Sequence, residues 1–234
     1  MWNGKSKAVT FSFDDGTTQD KRLIYLLDKY GLRATFNLNS GLMGRCEKLE
    51  RGELRPTVPH IKLRADEIAR VYSGHEVAVH GVKHIWLPDL DDKGIISEVE
   101  DDRRALSEIV GYEVVGMAYS CHETDDEHIR EVIRKNTGVK YARALKPTYS
   151  FDMPDELLCI HPTTSQFGLS EEKTYALIDK FFASESEKPQ MFYIWGHSFE
   201  YDNDPYNYDR IEKLLRYISG NPDVYYGTNS EVLL

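Results

Sequence analysis

Two adjacent carboxylates, Asp14 and Asp15, close the stretch Val9-Thr10-Phe11-Ser12-Phe13-Asp14-Asp15-Gly16 near the start of a 234-residue chain. Further on, His80 and His84 stand four residues apart in His80-Gly81-Val82-Lys83-His84, and His197 follows the apolar run Met191-Phe192-Tyr193-Ile194-Trp195-Gly196. Residues four apart share one face of a helical turn, so two imidazoles at that spacing can grip one ion. Adding Asp15 gives a two-histidine, one-carboxylate set that leaves coordination positions open. Such a set suits zinc and also accommodates cobalt, nickel, manganese or iron. The same letters have ordinary readings. Asp-Asp-Gly is a common strand-end turn, His-x-x-x-His is often two unrelated surface histidines, and a histidine after a buried strand often belongs to core or turn. Position favours the chemical reading, because each cluster follows a predicted strand.

The elements that must position these groups alternate along the chain. Val9, Phe11 and Phe13 alternate with polar residues as in a strand, and Gly16 allows a sharp turn. A helix capped by Thr17 or Thr18 runs through Leu23, Ile24, Leu26 and Leu27 to Tyr30-Gly31. Arg33 to Leu38 reads as the next strand, with Asn37 and Asn39 placed to close a turn or line a site, the turn being favoured. Ser40 to Pro59 reads as an irregular insertion, since Pro56 and Pro59 discourage regular structure. Leu63 to Tyr72 is a helix, and Val77 and Val79 mark a strand ending at His80. His75 lies at the opposite end of that strand and is set aside as structural or surface. Ile95 to Val110 is an amphipathic helix. Its Glu98, Glu100, Asp101, Asp102 and Arg103 are read as a solvated face. Strands follow at Val114 to Tyr119, Lys140 to Ala144, Leu157 to His161, Met191 onward and Val224 to Tyr226. Helices fall at about Asp125 to Lys135, Tyr175 to Ala183 and Arg210 to Ile218. About seven strand–helix repeats with no linker predict a single, barrel-like α/β domain over residues 1–234. In a parallel fold of this kind the carboxyl ends of the strands converge on one face, which is where such enzymes work.

Bulk properties bound the function. A net charge of -10 argues against a nucleic-acid or anionic-membrane surface, because phosphate binding needs a basic face. A neutral sugar or a small acyl compound is compatible with it. The three cysteines, Cys46, Cys121 and Cys159, have no metal-like spacing and no even count, which fits a reducing compartment without disulfides. No apolar run approaches a membrane span. The chain opens Met1-Trp2-Asn3-Gly4 with no charged-then-apolar leader, so the simplest expectation is a cytoplasmic protein; one trimmed of its leader would look the same.

Three stretches together resemble the polysaccharide deacetylase family, the NodB-homology domain. Phe11-Ser12-Phe13-Asp14-Asp15-Gly16 is similar to its T-F-D-D-G motif, with Ser12 for the threonine. His80-Gly81-Val82-Lys83-His84 resembles its H-S/T-x-x-H motif, and Trp195-Gly196-His197 its late L-x-H motif. The resemblance implies an irregular (β/α)7 barrel, with Asp14 as catalytic base, Asp15, His80 and His84 as ligands of one divalent metal ion, and His197 as general acid. It also implies a substrate that is an acetylated carbohydrate, such as an N-acetylglucosamine glycan, or another small acylated compound. Trp86, Trp195, Phe199 and Tyr201 are candidates to stack on a sugar ring, although Trp195, inside a strand, reads as core.

Two departures test the resemblance. Gly81 stands where the family has a Ser or Thr that braces the loop. The third motif, R-x-P-[YF]-G, aligns with Ala118-Tyr119-Ser120-Cys121-His122, so the arginine that orients the base carboxylate is missing. Arg143, at the end of the next strand, is the candidate replacement, against the alternative of a merely structural charge. Cys121 falls where a backbone N–H helps form the oxyanion hole, a role that needs no particular side chain. Three alternatives to the deacetylase reading remain: hydrolysis of a non-sugar amide, a silent carbohydrate-binding relative, and a protein stiffened by a structural metal.

Overall fold

The alternation at Val9–Phe13 becomes β1 (Lys7–Asp14), and each strand hydrogen-bonded to it runs parallel. The computed structural model describes residues 2–49, 58–121 and 125–234. After β1 come α1 (Asp20–Lys29), β2 (Thr35–Leu38), β3 (Cys46–Leu49), β4 (Val58–Ile61), α2 (Ala65–Val71) and β5 (Glu76–Val79). Next are α3 (Asp92–Ile96), α4 (Asp102–Val110), β6 (Gly116–Ala118), α5 (Glu127–Asn136) and β7 (Tyr141–Arg143). The chain ends with β8 (Thr164–Ser165), α6 (Glu171–Ala183), β9 (Gln190–His197), α7 (Asn207–Ile218), β10 (Val224–Tyr226) and α8 (Asn229–Leu233). The strand order is β7-β6-β5-β2-β1-β9-β8, with β10 beside the first residues of β1. The result is a single-domain parallel sheet curled into a half-barrel, in line with the barrel-like α/β domain expected from the repeat rhythm and the irregular (β/α) barrel implied by the resemblance. No helix among the described residues is long and apolar enough to cross a membrane.

β1 is buried on both faces, as a central parallel strand must be. Val9, Phe11 and Phe13 join the large apolar core together with Leu23 and Leu27 of α1 and Phe36 of β2. The opposite face carries Thr10, Ser12 and Asp14, all buried and polar. Their neighbours are polar as well. Thr10 donates to Asn229 Oδ1 at 2.8 Å, and Asn229 Nδ2 donates to the Tyr193 hydroxyl at 2.6 Å. Glu76 collects the hydroxyls of Thr35 and Tyr141, each at 2.8 Å, and the Ser230 N–H at 3.0 Å. Buried polar groups need partners, and here they find each other, tying α8 to β1, β2, β5, β7 and β9.

Several elements differ from expectation. The insertion after Ser40 is not wholly irregular: β3 and β4 pair antiparallel, and only residues 50–57 of it lie outside the description. Leu157 to His161 forms no strand, making a single parallel bridge from Ile160 to Arg143. The expected helix from Ile95 to Val110 is a continuous run in which Ser97–Asp101 makes a wider π turn between α3 and α4. Its acidic face is only partly solvated: Asp101 is exposed as expected, but Glu98, Glu100 and Asp102 are buried.

One buried carboxyl links this packing to pH. Asp20 opens α1 with no exposed surface and accepts the Tyr72 hydroxyl at 2.6 Å. Burial pushes its pKa up to about 7, against the hydroxyls of Ser198 and Tyr72, which favour the anion. The folded state therefore keeps a proton that the unfolded chain releases near pH 4, and stability falls as pH rises between those two values. Asp20→Asn retains an acceptor for Tyr72 and abolishes the titration. From pH 5 to pH 7 the unmodified protein is expected to lose about 2 kcal/mol relative to Asp20→Asn in urea unfolding; parallel curves would refute the assignment.

Candidate active site

Asp14 is the last residue of β1, in register with Asn37 of β2 and His197 of β9. Its position at the carboxyl end of a central strand brings three groups onto one carboxylate. Arg143 Nη2 donates to Oδ2 at 2.6 Å from the end of β7, and Asn37 Nδ2 donates to Oδ1 at 2.7 Å. His197 Nε2 lies 3.9 Å from Oδ2. Both members of the Asp14–Arg143 pair are fully buried. Burial opposes ionisation of Asp14, but Arg143, His80 and His197 outweigh it and hold the carboxyl below the usual aspartate range. Arg143 thus supplies a cation to Asp14, and Trp195 stacks over its guanidinium at 4.4 Å.

Asp15 faces the same cavity as Asp14, although neighbouring strand residues point oppositely. Its φ of 84°, unusual for a residue with a side chain, turns it off the strand direction. Such backbone costs about 1–3 kcal/mol and is typically found where function requires it. One donor atom each from Asp15, His80 and His84 lie within 4.8 Å of one another, a group that can hold a metal ion. The tautomer of His80 suits that use. Its Nδ1 hydrogen-bonds the Ala118 carbonyl at 2.9 Å, which leaves Nε2 as the ligating lone pair. Burial lowers the His80 pKa to about 4 and also lowers that of His84, so both rings are neutral, as ligands must be.

Sequence reading missed two residues of β4 and its end. Lys62 Nζ donates to Asp15 Oδ1 at 2.8 Å, and His60 Nε2 lies 3.3 Å from Oδ2. Against the effect of burial, His60 and Lys62 hold the Asp15 carboxyl well below its ordinary range. Nothing in the letters between the insertion and Leu63 marks them, because their role depends on the β3–β4 hairpin packing against the strand ends.

The loop carrying the two histidines is not the helical turn that their spacing suggested. Gly81 at φ 82° and His84 at φ 59° fold residues 80–84 into a tight loop, with the two rings 4.8 Å apart. Glu98 holds it: its carboxylate accepts the N–H groups of Lys83 at 2.7 Å and Ile85 at 3.2 Å. Asp102 accepts the N–H of Ser40 at 2.7 Å and of His80 at 3.1 Å. A Cβ at position 81 would stand 2.8 Å from Glu98 Oε1, so Gly81 and the buried Glu98 fit as a pair. Asn39 does open a turn, its carbonyl accepting the Leu42 N–H at 3.1 Å, and its side chain does more: the amide donates to the His80 and Gly81 carbonyls at 2.7 and 2.9 Å.

The candidate groups line one open cavity of about 480 Å³, which includes Asp14, Asp15, His60, Lys62, His80, His84, Cys121 and His197. Trp195 and Phe199 line it too, so Trp195 is not simply core. Trp86 is absent from the lining, and Tyr201 is buried in the apolar core. Cys121, at φ 69°, approaches the His84 carbonyl with its thiol at 3.2 Å. Burial and Asp15 raise its pKa, so it is not an activated thiolate. His122, aligned with the end of the third motif, lies outside the described residues. His75 is structural: buried, it accepts the Ala34 N–H at 3.2 Å.

The sequence profile for polysaccharide deacetylases matches residues 3–142, more than half of the chain. The chain belongs to that family. No curated protein matches it. Among solved structures it is similar to a family 4 carbohydrate esterase from Streptomyces lividans in complex with acetate, at 17% identity, TM-score 0.59, covering 96% of this chain and 93% of that one. It is similar to a mutant of the peptidoglycan deacetylase PdaC from Bacillus subtilis, at 14% identity, TM-score 0.54, covering 98% and 90%. It is also similar to Puue allantoinase, at 13% identity, TM-score 0.70, covering 99% and 91%. At these identities the likenesses establish the shared barrel. In this member of the polysaccharide deacetylase family, Glu98 stands over Gly81, where the loop-bracing Ser or Thr of the motif is absent. Glu98→Ala leaves two N–H groups without their acceptor and is expected to cost about 1–3 kcal/mol in urea unfolding. Glu98→Gln, which keeps a carbonyl oxygen, is expected to cost less; equal losses would show that the acceptor is not what matters.

Proposed function

We propose that this protein is a metal-dependent hydrolase that removes acetyl groups from an acetylated carbohydrate. One observation carries the reading. An ionised Asp14, clamped by Arg143 and Asn37, stands between His197 and the Asp15–His80–His84 donor group, and all of these but Arg143 and Asn37 open onto the same cavity. A base, an acid and a cation site around one opening are what hydrolysis of an unactivated acyl bond requires.

The chemistry divides among these groups. A divalent ion held by Asp15, His80 and His84 supplies Lewis acidity toward the acyl carbonyl and acidifies water from a pKa of about 15.7 toward about 7. Asp14 takes the proton of the attacking water as the new carbon–oxygen bond forms. Arg143 keeps Asp14 ionised and aimed before that step. The Cys121 backbone N–H is assigned to the developing oxyanion. His197 then gives its proton to the leaving nitrogen or oxygen as the acyl bond breaks, releasing acetate and the free amine or alcohol. Its protonation state suits the task. Burial disfavours the imidazolium, yet Glu200, Asp14 and Asp15 raise the pKa above the ordinary histidine value. Arg143 also bears on the silent-relative alternative, because the cation missing from the third motif reaches Asp14 by another route.

The test is a panel of acetylated sugars, acetyl esters and small amides, assayed for acetate release before and after chelation. Chelation is expected to abolish turnover and readdition of zinc or cobalt to restore it; full activity in chelator would remove the metal from the mechanism. Asp14→Asn is expected to lower kcat by about 10²–10⁴ while metal affinity changes little. Retained turnover in that variant would exclude Asp14 as the base. Arg143→Ala is expected to follow the same pattern, with turnover falling far more than metal affinity, and equal losses of both would assign Arg143 to the fold.

A further inference from the structure

Among the described residues, Lys62 is the one buried ammonium on the cavity wall, and it has two side-chain acceptors. It donates to Asp15 Oδ1 at 2.8 Å and to Asn39 Oδ1 at 3.1 Å, with only 6% of its side chain exposed. Asn39 in turn donates to the His80 and Gly81 carbonyls. The chain Asp15–Lys62–Asn39–His80 therefore links the carboxylate ligand to the loop that carries both imidazole ligands. His60 lies 3.3 Å from Asp15 Oδ2, so both oxygens of this carboxylate are engaged from β4 and its end.

We propose that Lys62 is a resident counter-cation of Asp15, which keeps the ligand set assembled without a metal and competes with a divalent ion for the same carboxylate. The inference rests on the reading of Asp15, His80 and His84 as a metal site. A buried carboxylate with no cation nearby is costly, and Lys62 removes that cost in the metal-free protein. The same ammonium sets a penalty on the divalent ion, because two cations sharing one carboxylate at low local dielectric repel strongly. An arriving ion either displaces Lys62 from Asp15 or binds beside it. In both cases the affinity is lower than the three ligands alone would give, and the ion exchanges readily. Asn39 offers the displaced ammonium a second acceptor that is already in contact, so displacement needs a shift of the side chain and no unfolding of the hairpin.

The test measures metal affinity directly. Cobalt or zinc is titrated against a chromophoric chelator with the full chain and with Lys62→Met and Lys62→Arg, and folding of each is checked by circular dichroism. Lys62→Met keeps the aliphatic bulk without the charge and is expected to bind at least tenfold tighter. Lys62→Arg keeps the charge and is expected to stay within a few-fold of the unmodified protein, which controls for a packing effect. Unchanged or weaker binding by a folded Lys62→Met would overturn the proposal and make Lys62 a device for positioning Asp15. In that case acetate release with bound metal would leave the proposed function standing. Failure of every variant to bind either ion would overturn both the inference and the metal reading beneath it. Should Lys62→Met not fold, binding by Lys62→Gln decides by the same criterion. The nitrogen resonance of Lys62 gives an independent readout: zinc is expected to shift it in the unmodified protein, and an unmoved resonance at saturating zinc would count against competition.

Discussion

A guanidinium with no exposed surface has to be met by a carboxylate, and Arg143 is met by Asp14. Removing either partner of such a pair typically costs about 3–5 kcal/mol, because the other charge is left buried and alone. The pair joins β7, at one edge of the sheet, to β1 near its middle, so it also constrains how the barrel curls. The same bond that ties these two strand ends together holds the Asp14 carboxyl ionised at the cavity. Trp195 covers the guanidinium and lines the cavity at once, so the wall of the site and the support of its base are one packed unit.

The histidine loop rests on a different device. A Ser or Thr after the first histidine is absent, and the space is given to Glu98, whose carboxylate reaches in over Gly81 to bind two backbone N–H groups. Asp102, one turn on, ties His80 and Ser40 to the same helix. Charge-assisted bonds to backbone are stronger than those a hydroxyl can make. A glycine lets the loop take positive φ without the strain a side chain would add, and leaves room for the acid. The substitution and its compensation belong together.

Much of this was legible in the letters, and the rest was hidden for identifiable reasons. Strand-end placement of Asp14 and His80 followed from period-two runs and that of His197 from a continuous apolar run, and the contact of Arg143 with Asp14 was legible through the missing third-motif arginine. Glu98 and Asp102 fall three and seven residues after Ile95, on the stripe shared with Val99 and Leu106. That spacing puts them on the buried face, but their charge led to a solvated reading, since carboxylates are rarely buried. The left-handed backbone of Asp15 is one that aspartate tolerates better than most residues, but nothing in the residue type demands it. His60 and Lys62 escaped because they belong to a hairpin whose contact with the strand ends is long-range. For Asn37 and Asn39 a turn was favoured over lining a site on propensity; Asn37 instead lies in β2 and bonds Asp14, while Asn39 does open a turn and also bonds His80 and Lys62, which propensity does not show.

These departures share a logic. Each motif position at which a supporting residue is missing is served from another element: β7 supplies the cation for Asp14, and the helical run after the histidine loop supplies its brace. The motif residues keep their order along the chain while their supports are rerouted. Supporting side chains act through charge and hydrogen-bonding geometry at a point in space, and several elements converge on the mouth of a parallel barrel. Any of them can deliver a guanidinium or a carboxylate there. Under the proposed function the groups around the acyl carbon have less freedom, since a base, an acid and a cation would have to surround one small volume. On that reading a barrel mouth tolerates change in its supports before it tolerates change in its chemistry, and this chain departs from the motifs at Gly81 and at the third-motif arginine while carrying Asp14, Asp15, His80, His84 and His197 at the motif positions.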